Sequence, residues 1–180
     1  MNQENKIIIC DTREKGNKSI LKYFDTINQD YIITKLEAGD YMLYKDFSMI
    51  IDKKDGLDEI LGNLTGKTKR ADGSYERNRD RLAREVDKAH ELGCEEFIFL
   101  IQHNKIKTTE DIYNWKSRYS IVTGRQLAGI MREFKEKHGC KYMIVPRKEM
   151  AQTIIDLLTK KWYNLIVVEI SQVAHKEGIP

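Results

Sequence analysis

The chain has 180 residues, 41% of them apolar and 33% charged, with a formal net charge of +3. That length suits one domain with a sizeable core of its own, and the apolar runs are too short to cross a bilayer. A charge of +3 does not by itself announce a nucleic-acid binder, so the distribution of charge must be examined instead.

Taken in chain order, residues 6–10 form a β-branched run that reads as a buried strand ending at Asp11. Gly16 marks a turn, and Ile20, Leu21 and Phe24 fall at helical spacing within a helix predicted over 17–24. Strands follow at 31–36, 41–44 and 47–54, broken at Ala38-Gly39-Asp40 and at Lys45-Asp46, and they read as a β-meander. Leu57, Ile60, Leu61 and Leu64 predict a helix over 57–64. Residues 65–74 are glycine-rich and basic without apolar periodicity, and read as part of a mobile basic loop near 65–77. A long amphipathic helix at 78–92 leads into a strand at 97–101, then come a helix at 123–138, a strand at 141–145 and a helix at 148–158.

The expected architecture is therefore α/β, a mixed central sheet with helices on both faces, in one domain over residues 1–160. Residues 161–180, with the apolar run from Leu165 to Val168, form a tail that packs on the domain or on a partner. The first six residues lack the basic start and long apolar core of a secretory signal, so a cytoplasmic protein is expected. Cys10, Cys94 and Cys140 have neither a CxxC pairing nor a histidine at zinc spacing, and read as buried free thiols.

The segment that carries chemistry is Gly39-Asp40-Tyr41 followed by Asp52-Lys53-Lys54. Side chains two apart in a strand share a face, so Asp52 and Lys54 project together while Lys53 points away. A hairpin-like return at Asp40 would set its carboxylate beside that of Asp52. Two converging carboxylates repel, and a hard cation such as Mg²⁺ or Mn²⁺ relieves that repulsion. Such a cation polarises a scissile phosphate, while Lys54 stabilises the charge that develops there. An Asp, a gap and an Asp-x-Lys form the loose signature of restriction-endonuclease-like nucleases. A solvated hairpin with surface acids would give the same pattern.

Further motifs narrow the choice. The order Asp11-Thr12-Arg13-Glu14, Gly39-Asp40-Tyr41, Ile51-Asp52-Lys53-Lys54 and then Asp58 resembles the nuclease domain of the XPF family of structure-specific endonucleases. The similarity continues through Arg81-Leu82 and Glu85, and through Phe99 to Gln102. It implies a restriction-endonuclease-like fold and a metal-dependent endonuclease acting on branched DNA in repair or recombination, working as a homodimer. By position, Asp11 and Glu14 resemble the first acidic motif, Asp40 the central metal ligand, and Asp52 with Lys54 the acid and lysine pair. Asp40, Asp52 and Asp11 are thus the implied metal ligands, and Arg13 is implied to contact phosphate. Asp58 would open the next helix, where a carboxylate also suits the positive helix end.

The chain departs from the family at three places: Asp52-Lys53-Lys54 replaces Glu-Arg-Lys, Glu85 stands where a glutamine is expected, and Gln102 where a glutamate often stands. The alternative is accordingly a catalytically inactive DNA-binding or scaffold subunit of the same fold. DNA contact is expected from Lys67, Lys69, Arg70, Arg77, Arg79 and Arg81, a run that could equally be a solvated face. Thr65-Gly66-Lys67-Thr68 fails as a phosphate loop because Gly62 is one position off. The four histidines lack a Ser or Cys partner at motif spacing and are expected at the surface. Tyr113, Trp115 and Tyr119 read as a loop packed on the core, with stacking on the bases of a DNA end or flap as the other option.

Overall fold

The structure, a computed structural model, describes residues 6–159. Six strands form one mixed sheet in the order β2-β1-β3-β4-β7-β8: β1 (Ile8–Asp11), β2 (Tyr31–Thr34), β3 (Tyr41–Leu43), β4 (Asp46–Lys54), β7 (Glu96–Gln102) and β8 (Cys140–Val145). The pairs β1/β2, β4/β7 and β7/β8 are parallel, and β1/β3 and β3/β4 antiparallel.

This order corrects the meander. β1 lies between β2 and β3, so β2 never touches β3. The Ile8–Asp11 run is buried along its whole length, and an interior sheet position supplies ladder partners on both sides as well as cover on both faces. β2 also stops at Thr34, two residues earlier than expected, because the Leu36 N–H turns to donate to Asp11 Oδ2 (3.3 Å).

Strand alternation splits the core in two. Ile50, Phe97, Phe99, Ile101, Tyr142 and Ile144 face the helices α2 (Leu57–Thr65), α3 (Asn78–Glu91), α4 (Thr109–Asn114) and α5 (Gly124–His138). Met49, Ile51, Ile98, Leu100 and Met143 face α1 (Lys18–Thr26) and α6 (Met150–Leu158). Asp52 and Lys54 continue the Ile50 row, and Lys53 continues the Ile51 row. Phe99 contacts the rings of Phe97, Phe134 and Tyr142 at centroid distances of 5.1–6.3 Å, which gives the first face a rigid aromatic floor.

Two further readings are corrected. The basic stretch at 65–77 holds a two-stranded hairpin, β5 (Lys67–Lys69) with β6 (Tyr75–Arg77). It has no apolar periodicity because it packs no face; its residues are almost all exposed. The histidines among the described residues are also structural. His90 bridges the carbonyls of Cys94 (2.8 Å) and His138 (3.0 Å), His103 accepts from the N–H groups of Lys105 and Ile106, and His138 packs on Phe134. The three cysteines are buried and free, as expected. Helix α4 was not anticipated; it is a short helix held by a Thr108–Asp111 capping box. Residues 161–180, expected to form a tail, lie outside the described residues.

Candidate active site

Asp40 is fixed by the backbone on either side of it. Its N–H donates to Ile51 O on β4 (2.8 Å), and its carbonyl accepts from Asp11 N on β1 (2.8 Å). Gly39, at φ +65°, makes the turn that allows both contacts. Asp40 Oδ2 then accepts from Lys53 N at 2.8 Å, which brings the carboxylate against the end of β4, where Asp52 stands.

Asp52 is only 3% exposed. Its Oδ1 takes Lys54 Nζ at 2.6 Å, while Oδ2 is buried without a hydrogen-bond donor. Burial raises the pKa of Asp40, and the charge of Asp52 raises it further against the opposing pull of Lys54. Burial likewise raises that of Asp52, offset by Lys54 and reinforced by Glu85. The two carboxyls therefore contact each other with one donor too few; a shared proton or a cation would satisfy Oδ2. Burial works against the charge on Lys54, but Asp52 and Glu59 outweigh it and hold the ammonium above its usual pKa. Lys54 Nζ lies 3.8 Å from Glu59 Oε1 and 5.9 Å from the Phe99 ring centre.

The other acids assigned to the site take different places. Asp11, 1% exposed, accepts from Arg13 N (2.7 Å), Arg13 Nε (3.1 and 3.0 Å to its two oxygens), Arg13 Nη2 (2.5 Å) and Leu36 N (3.3 Å). Burial opposes its ionisation, yet these bonds hold its pKa below the usual value. Its oxygens thus accept from Arg13 and the backbone in this structure, apart from the Asp40–Asp52 contact. Arg13 also donates to Leu36 O (2.8 Å) and remains half-exposed. Glu14 Oε1 takes Gly16 N (2.7 Å) and Lys53 Nζ (3.3 Å), and Lys53 pairs in turn with Asp55 (2.6 Å). Glu14 therefore partners the lysine of the opposite row, although its charge still reaches Asp40. Asp58 accepts from Ser117 Oγ (2.5 Å).

Two acids that the sequence did not assign to the site complete the surroundings. Glu85 Oε1 on α3 accepts from Gly39 N (3.1 Å), and its charge bears on Asp52 and Arg13. Its signal was its helical spacing, three residues after Leu82 and next to Val86, both fully buried. Glu59 approaches Lys54 and accepts from Asp55 N (2.7 Å).

The basic run is mostly paired internally. Arg70 and Arg84 both hold Glu76, Arg77 pairs with Asp80 (2.9 Å), and Arg79 with Glu133 (2.8 Å) while lying over Phe134. Among the described residues Arg81 approaches only Asn63 (3.5 Å), and Lys67 and Lys69 are exposed on the hairpin. Tyr113 and Trp115 pack against the core, whereas Tyr119 is 84% exposed.

No protein-family profile matches the chain, and no curated protein matches it. Among solved structures it is similar to XPF from Aeropyrum pernix, with a TM-score of 0.60 and 16% identity over 88% of this chain and 66% of that one. It is also similar to XPF from Aeropyrum pernix in complex with DNA, with a TM-score of 0.57 and 15% identity over 89% of this chain and 68% of that one. This chain thus spans about two thirds of the length of the XPF chains it matches. At such identities the likeness is one of fold, and the chain has an XPF-like nuclease fold.

Proposed function

We propose that this chain is a divalent-metal-dependent endonuclease that hydrolyses phosphodiester bonds in branched or structured DNA. The observation that carries the reading is the buried Asp52 Oδ2, which lacks a donor and stands beside the carboxyl of Asp40, on the same carboxylate whose other oxygen takes Lys54. A donor-poor pair of carboxylates fits Mg²⁺ or Mn²⁺, and Asp40 and Asp52 would hold the ion. When bound, such an ion supplies charge to polarise the phosphate and lowers the pKa of a water. Among the described residues no group of three acidic, histidine or cysteine side chains converges. The remaining coordination would fall to water, backbone and substrate oxygens, as suits Mg²⁺.

The chain's own groups divide the remaining work. Lys54 keeps its proton at neutral pH, so it acts as a donor and a fixed positive charge toward the phosphate and not as a base. Glu85, through Gly39, and Asp11, through the Asp40 carbonyl, keep Asp40 in register. Arg13, held by Asp11, presents its exposed edge to a neighbouring phosphate. Hydrolysis adds water oxygen to phosphorus and breaks the bond to the departing sugar oxygen, which leaves with a proton from solvent.

DNA as substrate is supported by the likeness to XPF, one structure of which contains DNA. A preference for branched DNA, a place in repair or recombination, a homodimeric state and a cytoplasmic location belong to the same proposal. No helix among the described residues is long and apolar enough to cross a membrane. The competing reading, a non-catalytic DNA-binding subunit, draws on the absence of a third converging acid among the described residues. Incubating the protein with labelled duplex, flap, fork and four-way junction DNA in Mg²⁺, Mn²⁺ or EDTA separates the two. Metal-dependent cutting of a branched substrate, abolished in Asp52→Ala, is expected; tight binding without cutting in every condition would select the non-catalytic subunit.

A further inference from the structure

The loop over residues 115–124 is built to hold its shape. Lys116 and Thr123 pair across its base, and Gly124 N donates to Trp115 O at 3.1 Å. The crossing there is so close that a Cβ on Gly124 would lie 1.8 Å from Ile112 O. Farther out, Ser117 Oγ donates to Asp58 Oδ1 on α2 (2.5 Å) and accepts from Tyr119 N (3.0 Å), and Ser120 Oγ accepts from Val122 N (3.1 Å). This fixed frame leaves its apolar tip in water: Tyr119 is 84% exposed and Ile121 99% exposed. Neither side chain serves the core.

Between this loop and the first turn of α2 lies a cleft of about 600 Å³, whose walls include Trp115, Tyr119, Lys105, Lys116, Arg118 and Glu59. Glu59 is shared with the candidate active site through its approach to Lys54 (3.8 Å), so the cleft opens directly beside the Asp52–Lys54 pair. The acids of the cleft are already engaged: Asp58 by Ser117, Asp55 by Lys53, and Glu59 by Lys54 and the Asp55 N–H. Lys105, Lys116 and Arg118 have no acidic partner among the described residues. What the cleft offers a ligand is therefore aromatic faces and cations that are in no ion pair among the described residues. That combination matches bases joined by phosphates, with the bases unpaired, because a stacked duplex does not present base faces to a side chain.

We infer that this cleft holds an unpaired DNA strand as it leaves the reacting phosphate, with Trp115 and Tyr119 stacking on its bases and Lys105, Lys116 and Arg118 on its backbone. Asp58 is then a positioning residue: it pins the aromatic loop beside the site and has no part in holding a metal. The inference rests on the endonuclease reading for the place of the phosphate, and it supplies a physical basis for preferring branched over intact duplex DNA.

The test is a binding measurement in EDTA, on the full chain, with a labelled oligothymidine strand and a blunt duplex as probes. Tyr119→Ala and Arg118→Ala are expected to weaken single-strand binding, the former by roughly five- to hundred-fold, and to leave duplex binding nearly unchanged. Asp58→Ala should share the single-strand defect, whereas Asp58→Asn, which keeps an acceptor for Ser117, should restore binding. In a Trp162→Phe background the remaining tryptophan, Trp115, should be quenched by the strand. Unchanged single-strand affinity in Tyr119→Ala, or equal weakening on strand and duplex, would overturn the inference. Self-association abolished in Ile121→Asp, together with unchanged single-strand affinity in Tyr119→Ala, would make the loop an interface between copies instead. Turnover is not read, so a protein that cuts nothing in Mg²⁺ would sink the endonuclease reading while leaving these binding outcomes decisive for the cleft.

Discussion

Asp40 and Asp52 form a pair that the fold holds at its own expense. Both carboxyls bind a proton more tightly in the folded chain than in the unfolded one, because burial raises both pKa values, reinforced by the charge of Asp52 at Asp40 and by that of Glu85 at Asp52. The sign follows directly: the folded state carries more protons than the unfolded state above about pH 4, so metal-free stability falls as pH rises from there toward neutrality. Asp40→Asn removes the repulsion, keeps an acceptor for Lys53 N, and can offer an amide donor to Asp52 Oδ2. In EDTA it should be more stable than the parent at pH 8, by about 1–3 kcal/mol, with the gain shrinking at pH 5. Thermal melts at the two pH values check this, and a variant no more stable at pH 8 would show that Oδ2 finds another partner. The same substitution should abolish cutting, since it removes one of the two carboxylates proposed to hold the ion. Lys54→Met is expected to act in the opposite direction on stability. It strips the Lys54 donor from Asp52 Oδ1, and breaking a buried pair from one side costs about 3–5 kcal/mol, which a denaturant titration would detect at once.

At the scale of elements, the site depends on a single turn. Gly39 holds φ at +65°, and a Cβ there would lie 2.4 Å from Ile50 Cγ2 and 3.0 Å from Ile51 O. Gly39→Ala should therefore destabilise by about 1–3 kcal/mol and pull Asp40 away from β4. Activity should fall further than stability does, as melts and cleavage of one substrate would show. The pairing of Asp52 with Lys54, and the opposite orientation of Lys53, were legible because strand alternation is a local rule that needs no knowledge of neighbours. The insertion of β1 between β2 and β3 was not, because parallel pairing between sequence-distant strands leaves no mark in either one. Asp11 shows the same limit at the site. Its motif neighbours named it a ligand, but only the tertiary position of Leu36 and the folding back of Arg13 reveal that its oxygens are used. Glu85 was visible only as a departure from an expected glutamine, since its target, the Gly39 N–H, lies 46 residues away in the chain.

For the whole molecule, the question is which cations remain for DNA once the protein has used its own. The run from Lys67 to Arg84 looks like one basic patch in sequence, yet Arg70 and Arg84 are committed to Glu76, Arg77 to Asp80 and Arg79 to Glu133. Each of these guanidiniums would have to surrender an internal partner to reach a phosphate, and the exchange of one anion for another gains little. Lys67 and Lys69, on the exposed hairpin strand, have no such partner among the described residues. The two groups should separate in the salt dependence of duplex binding. Replacing both Lys67 and Lys69 by Ala should lower the magnitude of the slope of log affinity against log salt by about 2, close to one for each phosphate left without its lysine. Replacing Arg77 and Arg79 by Ala should leave that slope nearly unchanged and instead lower the melting temperature, because the ion pairs with Asp80 and Glu133 and the packing on Phe134 are removed. If the arginine pair moved the slope as far as the lysine pair, the internal ion pairs would have to open on binding, and the whole run would act as the DNA surface its sequence suggests.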